Sequence, residues 1–170
     1  MKNIVLTGFM GTGKTEAGRI LSQRLGYALV DADTEIEKEQ GMAITEIFKQ
    51  YGEPKFREIE SDVVRRLSEM ENTVISTGGG AVLRQENMDN LRKKSVIVCL
   101  TASPETILKR TSNNNDRPLL QVEDPLQKIK ELLEFRKPYY EKADIMIDTE
   151  GKSPLQVAEE IIEKTGIKKD

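Results

Sequence analysis

Short apolar runs alternate with amphipathic stretches along the whole chain. Five runs have the length and β-branched content of strands, and they cover residues 3–7, 28–31, 73–77, 95–100 and 145–148. Their apolar residues are nearly continuous, without regular polar positions between them. Such runs are typical of strands that are buried on both faces of a parallel sheet. We therefore predict a five-stranded central parallel sheet.

The stretches between these runs carry helix signals. Apolar residues follow helical spacing after the first run, at Ala17, Ile20, Leu21 and Leu25. Residues 124–127 and 153–156 each place a capping side chain before a proline. We expect the first of these two helices to run to about Tyr140 and the second to stop at Gly166. This β/α alternation predicts an α/β, three-layer fold, with ligands bound outside the carboxyl ends of the strands.

The chain shows neither an internal repeat nor a domain linker, so we expect one domain over residues 1–170. Residues 112–116 form its most polar and least periodic segment, which predicts a loop. Because Arg117 follows directly, we expect residues 112–124 to form a mobile lid, although a plain surface turn is the simpler interpretation.

Composition and charge narrow the classes of protein. A formal net charge of −3 gives no bulk attraction to nucleic acid or to a membrane surface. No apolar run approaches the roughly 20 residues that span a bilayer, and the first residues lack a signal-peptide pattern. One cysteine, Cys99, excludes an internal disulfide, so we expect a reducing, cytoplasmic compartment and an inert core thiol.

The chain contains no histidine, which excludes a Ser-His-Asp triad and any metal site with histidine ligands. Neither a heptad repeat nor a large apolar patch argues for an oligomer. A monomer is therefore the default expectation.

Residues 8–15 read Gly-Phe-Met-Gly-Thr-Gly-Lys-Thr, a complete phosphate-binding loop between a predicted strand and a predicted helix. Backbone N–H groups and the helix dipole would attract the phosphates. Lys14 can reach the β- and γ-phosphates, and the Thr15 hydroxyl can bind Mg²⁺. The residues that we expect to bind ATP in this segment are Gly11, Thr12, Gly13, Lys14, Thr15 and Glu16.

The loop alone does not separate a kinase from a GTPase or a motor ATPase. A GTPase would carry Asn/Thr-Lys-x-Asp to bind guanine, and the nearest match, residues 141–144, begins with glutamate instead. Large ATPase modules need a longer chain. The remaining class is a kinase for a small molecule or a nucleotide.

Asp31 and Asp33 lie at the end of the second predicted strand. Paired carboxylates at a strand tip could hold hydrated Mg²⁺ and accept hydrogen bonds from a substrate hydroxyl. The alternative is that one of the two caps the next helix, and Asp33, ahead of Ile36, is the obvious candidate for this cap.

Three consecutive glycines, Gly78, Gly79 and Gly80, follow the third predicted strand. Such a run costs chain entropy, so it favours a backbone that a substrate approaches closely. Three arginines, Arg57, Arg117 and Arg136, could converge on one carboxylate. A solvent-exposed helix face is the usual position of a single arginine, and the pattern does not exclude it for any of the three.

These motifs together resemble shikimate kinase over nearly the whole chain. The resemblance rests on the phosphate loop, Asp31-Ala-Asp33, Gly52-Glu53, the segment Phe56-Arg57-Glu58-Ile59-Glu60, the three glycines, Arg117-Pro118-Leu119-Leu120, and Arg136 with Tyr140. It implies transfer of the ATP γ-phosphate to the 3-hydroxyl of shikimate, on the route to chorismate and the aromatic amino acids. It also implies a P-loop kinase fold with a shikimate-binding helical region over about residues 33–61.

The resemblance implies a role for each matching position. Asp33 would accept hydrogen bonds from ring hydroxyls, and the backbone of residues 78–80 would contact the substrate. Arg57, oriented by Glu60, and Arg136 would bind the carboxylate. Phe48 and Phe56 would line the pocket, and Arg117 would arrive with the lid to meet phosphate and substrate. Arg110 and Pro154 would lie on the adenine side, where Lys152 stands at a position often occupied by arginine. Lys14, Asp33 and Arg117 would form the catalytic set, with Mg²⁺ as cofactor. Asp33 is the best candidate for a general base, because it is expected to contact the accepting hydroxyl and the chain has no histidine, and Asp31 would act through metal-bound water.

Two other interpretations stay open at this point. Another small P-loop kinase, for gluconate or a nucleoside monophosphate, would share the loop and the lid, but it is not expected to pair Asp31-x-Asp33 with Phe56-Arg57 and three glycines. A nucleotide-binding module without catalysis is the second, and the intact set of Lys14, Thr15, Asp33 and Arg117 speaks against it.

Overall fold

The computed structural model describes residues 2–112 and 120–168 of the chain. Five strands are present there, namely β1 (Asn3–Gly8), β2 (Ala28–Asp31), β3 (Thr73–Ser76), β4 (Ser95–Thr101) and β5 (Ile145–Asp148). The α-helices in the same stretches are α1 (Lys14–Leu25), α2 (Ala32–Gln40), α3 (Ile44–Leu67), α4 (Gln85–Arg92), α5 (Pro104–Thr111), α6 (Pro125–Tyr140) and α7 (Pro154–Thr165). A short 3₁₀ turn spans Ala81–Leu83.

The five strands pair in parallel in the order β2-β3-β1-β4-β5, which confirms the predicted sheet. The central strand β1 is buried along its whole length, and β3 is as well. The prediction that every strand is buried on both faces is wrong for β2 and β5. These two form the edges of the sheet, and Leu29 and Met146 are partly exposed there.

Helices cover the two faces of the sheet and create two hydrophobic cores. Ile4 and Leu6 point to a core that α1 and α7 complete with residues such as Leu21 and Ile161. Val5, between them in the strand, points to the opposite core, to which α2, α3, α4 and α6 contribute. The alternation of side chains along one strand thus supplies both cores of the three-layer fold.

Local capping signals fix the helix ends much as predicted. Asp124 caps α6, and Ser153 forms a capping box with Gln156 at the start of α7, which ends at a left-handed Gly166. The long helix α3 is kinked at Gly52, where φ is 81° and ψ is 169°, just before Pro54. A proline removes one helical hydrogen bond, so the kink has a local cause.

Cys99 lies in β4 and is fully buried. Burial raises the pKa of its thiol to about 12, so the group stays protonated, in agreement with the expected inert core thiol. Within residues 2–112 and 120–168, no helix is both long and apolar enough to cross a membrane.

Replacing the capping serine tests the local origin of α7. The Ser153→Ala variant loses the side chain that accepts from the Gln156 N–H, and we expect the free energy of unfolding to fall by about 1 kcal/mol. Urea denaturation measures this change. Ser153→Thr keeps a capping hydroxyl and serves as the control, so an equal loss in both variants would contradict the capping explanation.

Candidate active site

A cavity of about 730 Å³ opens at the carboxyl ends of the strands. It brings together most of the predicted site residues, namely Gly11, Gly13, Lys14, Thr15, Glu16, Asp31, Asp33, Arg57, Gly78, Gly79, Gly80 and Arg136. A second cavity, of about 320 Å³, shares Gly11, Gly13 and Glu16 with the first and adds Thr12, Arg110 and Pro154. Arg117 lies outside the described residues.

The phosphate loop leaves the central strand β1 at Gly8 and enters α1 at Gly13, and both glycines have a left-handed φ that other residues rarely adopt. Gly8 has a φ of 133°, and a methyl group there would lie 2.3 Å from the Leu100 carbonyl oxygen. Gly13 caps α1 with a φ of 92° and has open space around it. The first N–H groups of α1 therefore lie at the rim of both cavities, the usual arrangement for an anion at a helix N-terminus.

The side chains of the loop fold back on its own carbonyl groups. Lys14 Nζ donates to the carbonyl oxygens of Gly8 at 2.8 Å and Phe9 at 3.0 Å. Thr12 donates its hydroxyl to the Phe9 oxygen at 2.7 Å. The ammonium group is thereby held within the curve of the loop, and Lys14 lines the larger cavity.

Asp31 and Asp33 have different surroundings, and one prediction about them is wrong. Asp31, not Asp33, caps α2, because its Oδ1 accepts from the Thr34 N–H at 2.9 Å. Asp33 lies in the first turn of that helix. Its carboxylate reaches Gly78, where an added methyl group would lie 2.9 Å from Asp33 Oδ1. Both residues line the larger cavity, and Asp31 also caps the helix.

The three glycines form a floor against which charged side chains lie. None of them has a left-handed φ. A methyl group on Gly78 would lie 3.0 Å from Glu60 Oε1, and one on Gly80 would lie 2.3 Å from Arg57 Nη2. A side chain at Gly78 or Gly80 would thus push against buried charged groups, a reason for these glycines beyond the expected approach of a substrate.

Arg57 is held by two carboxylates on its own helix. Its Nη1 donates to Glu60 Oε2 at 2.8 Å, and its Nη2 donates to Glu53 Oε1 at 3.1 Å. Burial alone would lower the pKa of Arg57, but Glu60 and Glu53 raise it by more, so the guanidinium stays charged.

Glu60 is 1% exposed, and opposing influences act on its carboxyl group. Burial raises the pKa of Glu60, the charge and hydrogen bond of Arg57 lower it, and the nearby Asp33 charge raises it again, with a net upward direction. Because the short contact is to a guanidinium that is always charged, we interpret the pair as ionised at neutral pH.

Arg136 is as deeply buried as Glu60 but is held differently. It is 2% exposed and forms no ion pair with any carboxylate in the described part of the chain. Its guanidinium carbon lies 5.4 Å from the centre of the Phe9 ring, within the range of a cation–π contact. A buried cation without a paired carboxylate is costly, so this position favours an anionic ligand.

The kink in α3 shapes one wall of the larger cavity. Phe48 precedes Gly52 and Phe56 follows it, yet their ring centres are only 4.7 Å apart. Both rings line the cavity, as the sequence predicted. The Arg57 guanidinium lies 5.1 Å from the Phe56 ring centre, so the aromatic wall also supports the charged group.

On the other side of the loop, Arg110 connects the phosphate loop to the segment after β5. Its Nη1 donates to the Gly11 carbonyl oxygen at 3.1 Å and to Thr149 Oγ1 at 3.3 Å. Lys152, which also lines the smaller cavity, donates to Glu160 Oε2 at 2.7 Å. The arginine side chain and Pro154 leave a mainly apolar recess of the kind that accommodates a flat base.

Sequence reasoning missed three contacts of this site. Glu53 holds Arg57, Tyr140 lies beside Arg136, and Phe9 packs on the same guanidinium. The first two pairs are four residues apart on one helix, so helical spacing could have found them. The contact of Phe9 joins distant parts of the chain, and no local pattern signals it.

The donor chemistry for a metal ion is present beside the phosphate loop. Thr15 and Asp31 line the same cavity as Lys14 and offer hydroxyl and carboxylate oxygens. The described residues contain no group of three or more metal-binding side chains. Mg²⁺ usually keeps several waters and takes one or two protein ligands together with phosphate oxygens, so this sparse set fits it.

Known proteins resemble the chain over nearly its whole length. The family model for shikimate kinase matches residues 10–165. A shikimate kinase from Thermodesulfovibrio yellowstonii is 54% identical over 164 residues, which are 96% of this chain and 95% of the relative.

Solved structures agree with this result. A shikimate kinase from Acinetobacter baumannii, in complex with shikimate, superposes with a TM-score of 0.94 at 38% identity, covering 97% of this chain and 93% of that one. A gluconokinase from Sinorhizobium meliloti covers 97% of this chain and 91% of its own at a TM-score of 0.62, but its 17% identity shows a shared fold alone. The chain belongs to the shikimate kinase family of ATP-dependent kinases.

Proposed function

We propose that the chain transfers the γ-phosphate of ATP to the 3-hydroxyl of shikimate, giving shikimate 3-phosphate and ADP. This reaction is a step on the route to chorismate and the aromatic amino acids. The family membership supports the reaction, and the buried cations of the larger cavity support the acceptor. A gluconate kinase or a nucleoside monophosphate kinase is less consistent with these groups.

The observation that carries the proposal is the pair of arginines beside the glycine floor. Arg57 and Arg136 both line the cavity that also contains Lys14. A carboxylate placed between them would complete the hydrogen bonding of Arg136 and neutralise its charge. Buried atoms without a hydrogen-bond partner in the described part of the chain include Arg57 Nε, Arg136 Nε and Glu60 Oε1, which supports a polar ligand here.

On the donor side, Gly11, Thr12, Gly13, Lys14, Thr15 and Glu16 would bind the phosphates and adjoining parts of ATP. Arg110 and Pro154 would enclose the adenine. Phosphoryl transfer is catalysed mainly by positioning and by charge, so the Lys14 ammonium, held in the phosphate loop, would neutralise charge on the transferred group.

On the acceptor side, Asp33 would accept the proton of the reacting hydroxyl. Its carboxylate lies beside Gly78 in the same cavity as Lys14, as a base between donor and acceptor requires. Gly78, Gly79 and Gly80 would contact the ring through their backbone. Residues 33–61 would form the shikimate-binding region, because they supply Asp33, Phe48, Phe56 and Arg57.

Thr15 and Asp31 would hold Mg²⁺, the first through its hydroxyl and the second through water. When bound, the ion supplies positive charge to the β- and γ-phosphate oxygens. Arg117 would add a second cation from a lid over residues 112–124, and closure would exclude water.

We further propose a monomer in the cytoplasm. ATP as the phosphate donor and a single buried cysteine are consistent with that compartment. The net charge of −3 supports the absence of nucleic acid and membrane partners.

ADP release tests the proposed function. The purified chain is assayed with ATP, Mg²⁺ and each of three acceptors, namely shikimate, gluconate and AMP, beside a reaction without acceptor. We expect fast ADP release only when shikimate is the acceptor. Equal rates with and without shikimate, or preference for another acceptor, would overturn the assignment.

Removing one carboxylate-binding cation should separate the acceptor from the donor. In Arg136→Ala we expect the KM for shikimate to rise by about 10- to 100-fold, because a charge-assisted hydrogen bond contributes about 1.5–3 kcal/mol. The KM for ATP should stay close to that of the original chain. Arg65→Ala, at an exposed arginine of α3, is the matched control, and a parallel loss of ATP affinity in Arg136→Ala would indicate a folding defect instead.

Two substitutions at Asp31 distinguish capping from metal binding. Asparagine keeps an oxygen that can accept from the Thr34 N–H, whereas alanine does not. We expect both variants to need about ten-fold more Mg²⁺ for half-maximal rate. Urea denaturation should show a loss of about 1 kcal/mol in Asp31→Ala alone. A normal Mg²⁺ requirement in Asp31→Asn would leave Asp31 with the capping role only.

A further inference from the structure

The hydroxyl group of Tyr140 lies where the glycine floor meets the buried cation Arg136. It donates to the Gly79 carbonyl oxygen at 2.8 Å. Burial raises the pKa of Tyr140 to about 12, with the charge and hydrogen bonding of Arg136 opposing this only in part. The hydroxyl therefore keeps its proton at neutral pH and remains a donor to Gly79.

Arg136 and Tyr140 approach the same point of the floor. A methyl group on Gly79 would lie 3.2 Å from Arg136 Nη1 and 3.4 Å from the Tyr140 oxygen. The two side chains are neighbours because they are four residues apart on α6. While its proton is donated to Gly79, the tyrosine oxygen keeps lone pairs that can accept from the guanidinium, in agreement with the influence of Arg136 on the Tyr140 pKa.

The other described groups near the Arg136 guanidinium restrain its direction less: the charge of Glu60 acts on it from beyond ion-pair distance. The Phe9 ring packs on it, but a ring face restrains a cation in one direction only and tolerates sliding across it. No carboxylate within the described stretches forms an ion pair with Arg136, in contrast to Arg57, which has Glu53 and Glu60. The Tyr140 oxygen is therefore the polar group best placed to define the direction of its N–H groups.

We propose that Tyr140 is a positioning residue, whose hydroxyl fixes the Arg136 guanidinium relative to Gly79 and so determines how well the acceptor carboxylate is bound. The inference rests on the proposed function, because it takes the carboxylate of shikimate as the ligand of Arg136. A guanidinium that is free to rotate loses part of the two-point geometry on which binding of a carboxylate depends.

The test compares Tyr140→Phe with Tyr139→Phe. Each substitution removes one hydroxyl and keeps the ring, and Tyr139 is not among the residues that line the larger cavity. Rates are measured with shikimate and with its methyl ester, which keeps the ring hydroxyls but lacks the negative charge. Where the ester reacts too slowly, its inhibition constant against shikimate replaces its kcat/KM.

We expect Tyr140→Phe to reduce the preference for the acid over the ester by about ten-fold, mainly through a higher KM for shikimate, as the loss of one hydrogen bond to a charged group predicts. The KM for ATP and the rate with the ester should change little, and Tyr139→Phe should resemble the original chain.

Each other result has a distinct meaning. Equal losses with acid and ester in Tyr140→Phe, or an unchanged preference, would overturn the positioning role while leaving the proposed function intact. An original chain that does not phosphorylate shikimate at all would overturn the proposed function and this inference with it.

Discussion

The proposed acceptor side of this structure depends on stabilising three charged side chains that are buried from water. Arg57, Glu60 and Arg136 are all buried. Removing one partner of a buried ion pair such as Arg57–Glu60 typically costs about 3–5 kcal/mol. The chain solves the problem for Arg57 with two carboxylates on the same helix. For Arg136 it supplies an aromatic ring and a phenol instead, which leaves room for the charge of a ligand.

The proposed donor and acceptor sites lie close together because the order of the strands brings their loops side by side. The phosphate loop follows β1 and the glycine floor follows β3, and these two strands are neighbours in the sheet. A methyl group on Gly79 would lie 3.2 Å from the Gly8 carbonyl oxygen, so the two loops touch. Phe9 belongs to the phosphate loop but packs on Arg136, which we propose to bind the acceptor. Two sites on adjacent strand ends are thereby held at a fixed separation, as in-line phosphoryl transfer requires.

Local signals in the sequence predicted most of the fold, because each one depends on a few neighbouring residues. The caps at Asp124 and Ser153 and the stop at Gly166 are of this kind. Asp31 and Asp33 were harder, since either could cap α2 and only the observed entry into the helix decides between them. Burial at the sheet edges could not be predicted, because the order of the strands is not a local property. The contact of Phe9 with Arg136 needs the complete fold for the same reason.

The glycine floor has a further consequence for inhibition of the acceptor site. Each of the three positions lies against a charged group that we propose to act in the site, so a larger residue there would push against Asp33, Arg136 or Arg57. A compound bound on this floor would contact the glycine backbone, and the space where a larger side chain would stand is occupied by the charged groups. Mutations at the three glycines would then weaken binding of the substrate as well as binding of the compound. Resistance to the compound could therefore hardly arise there without loss of activity.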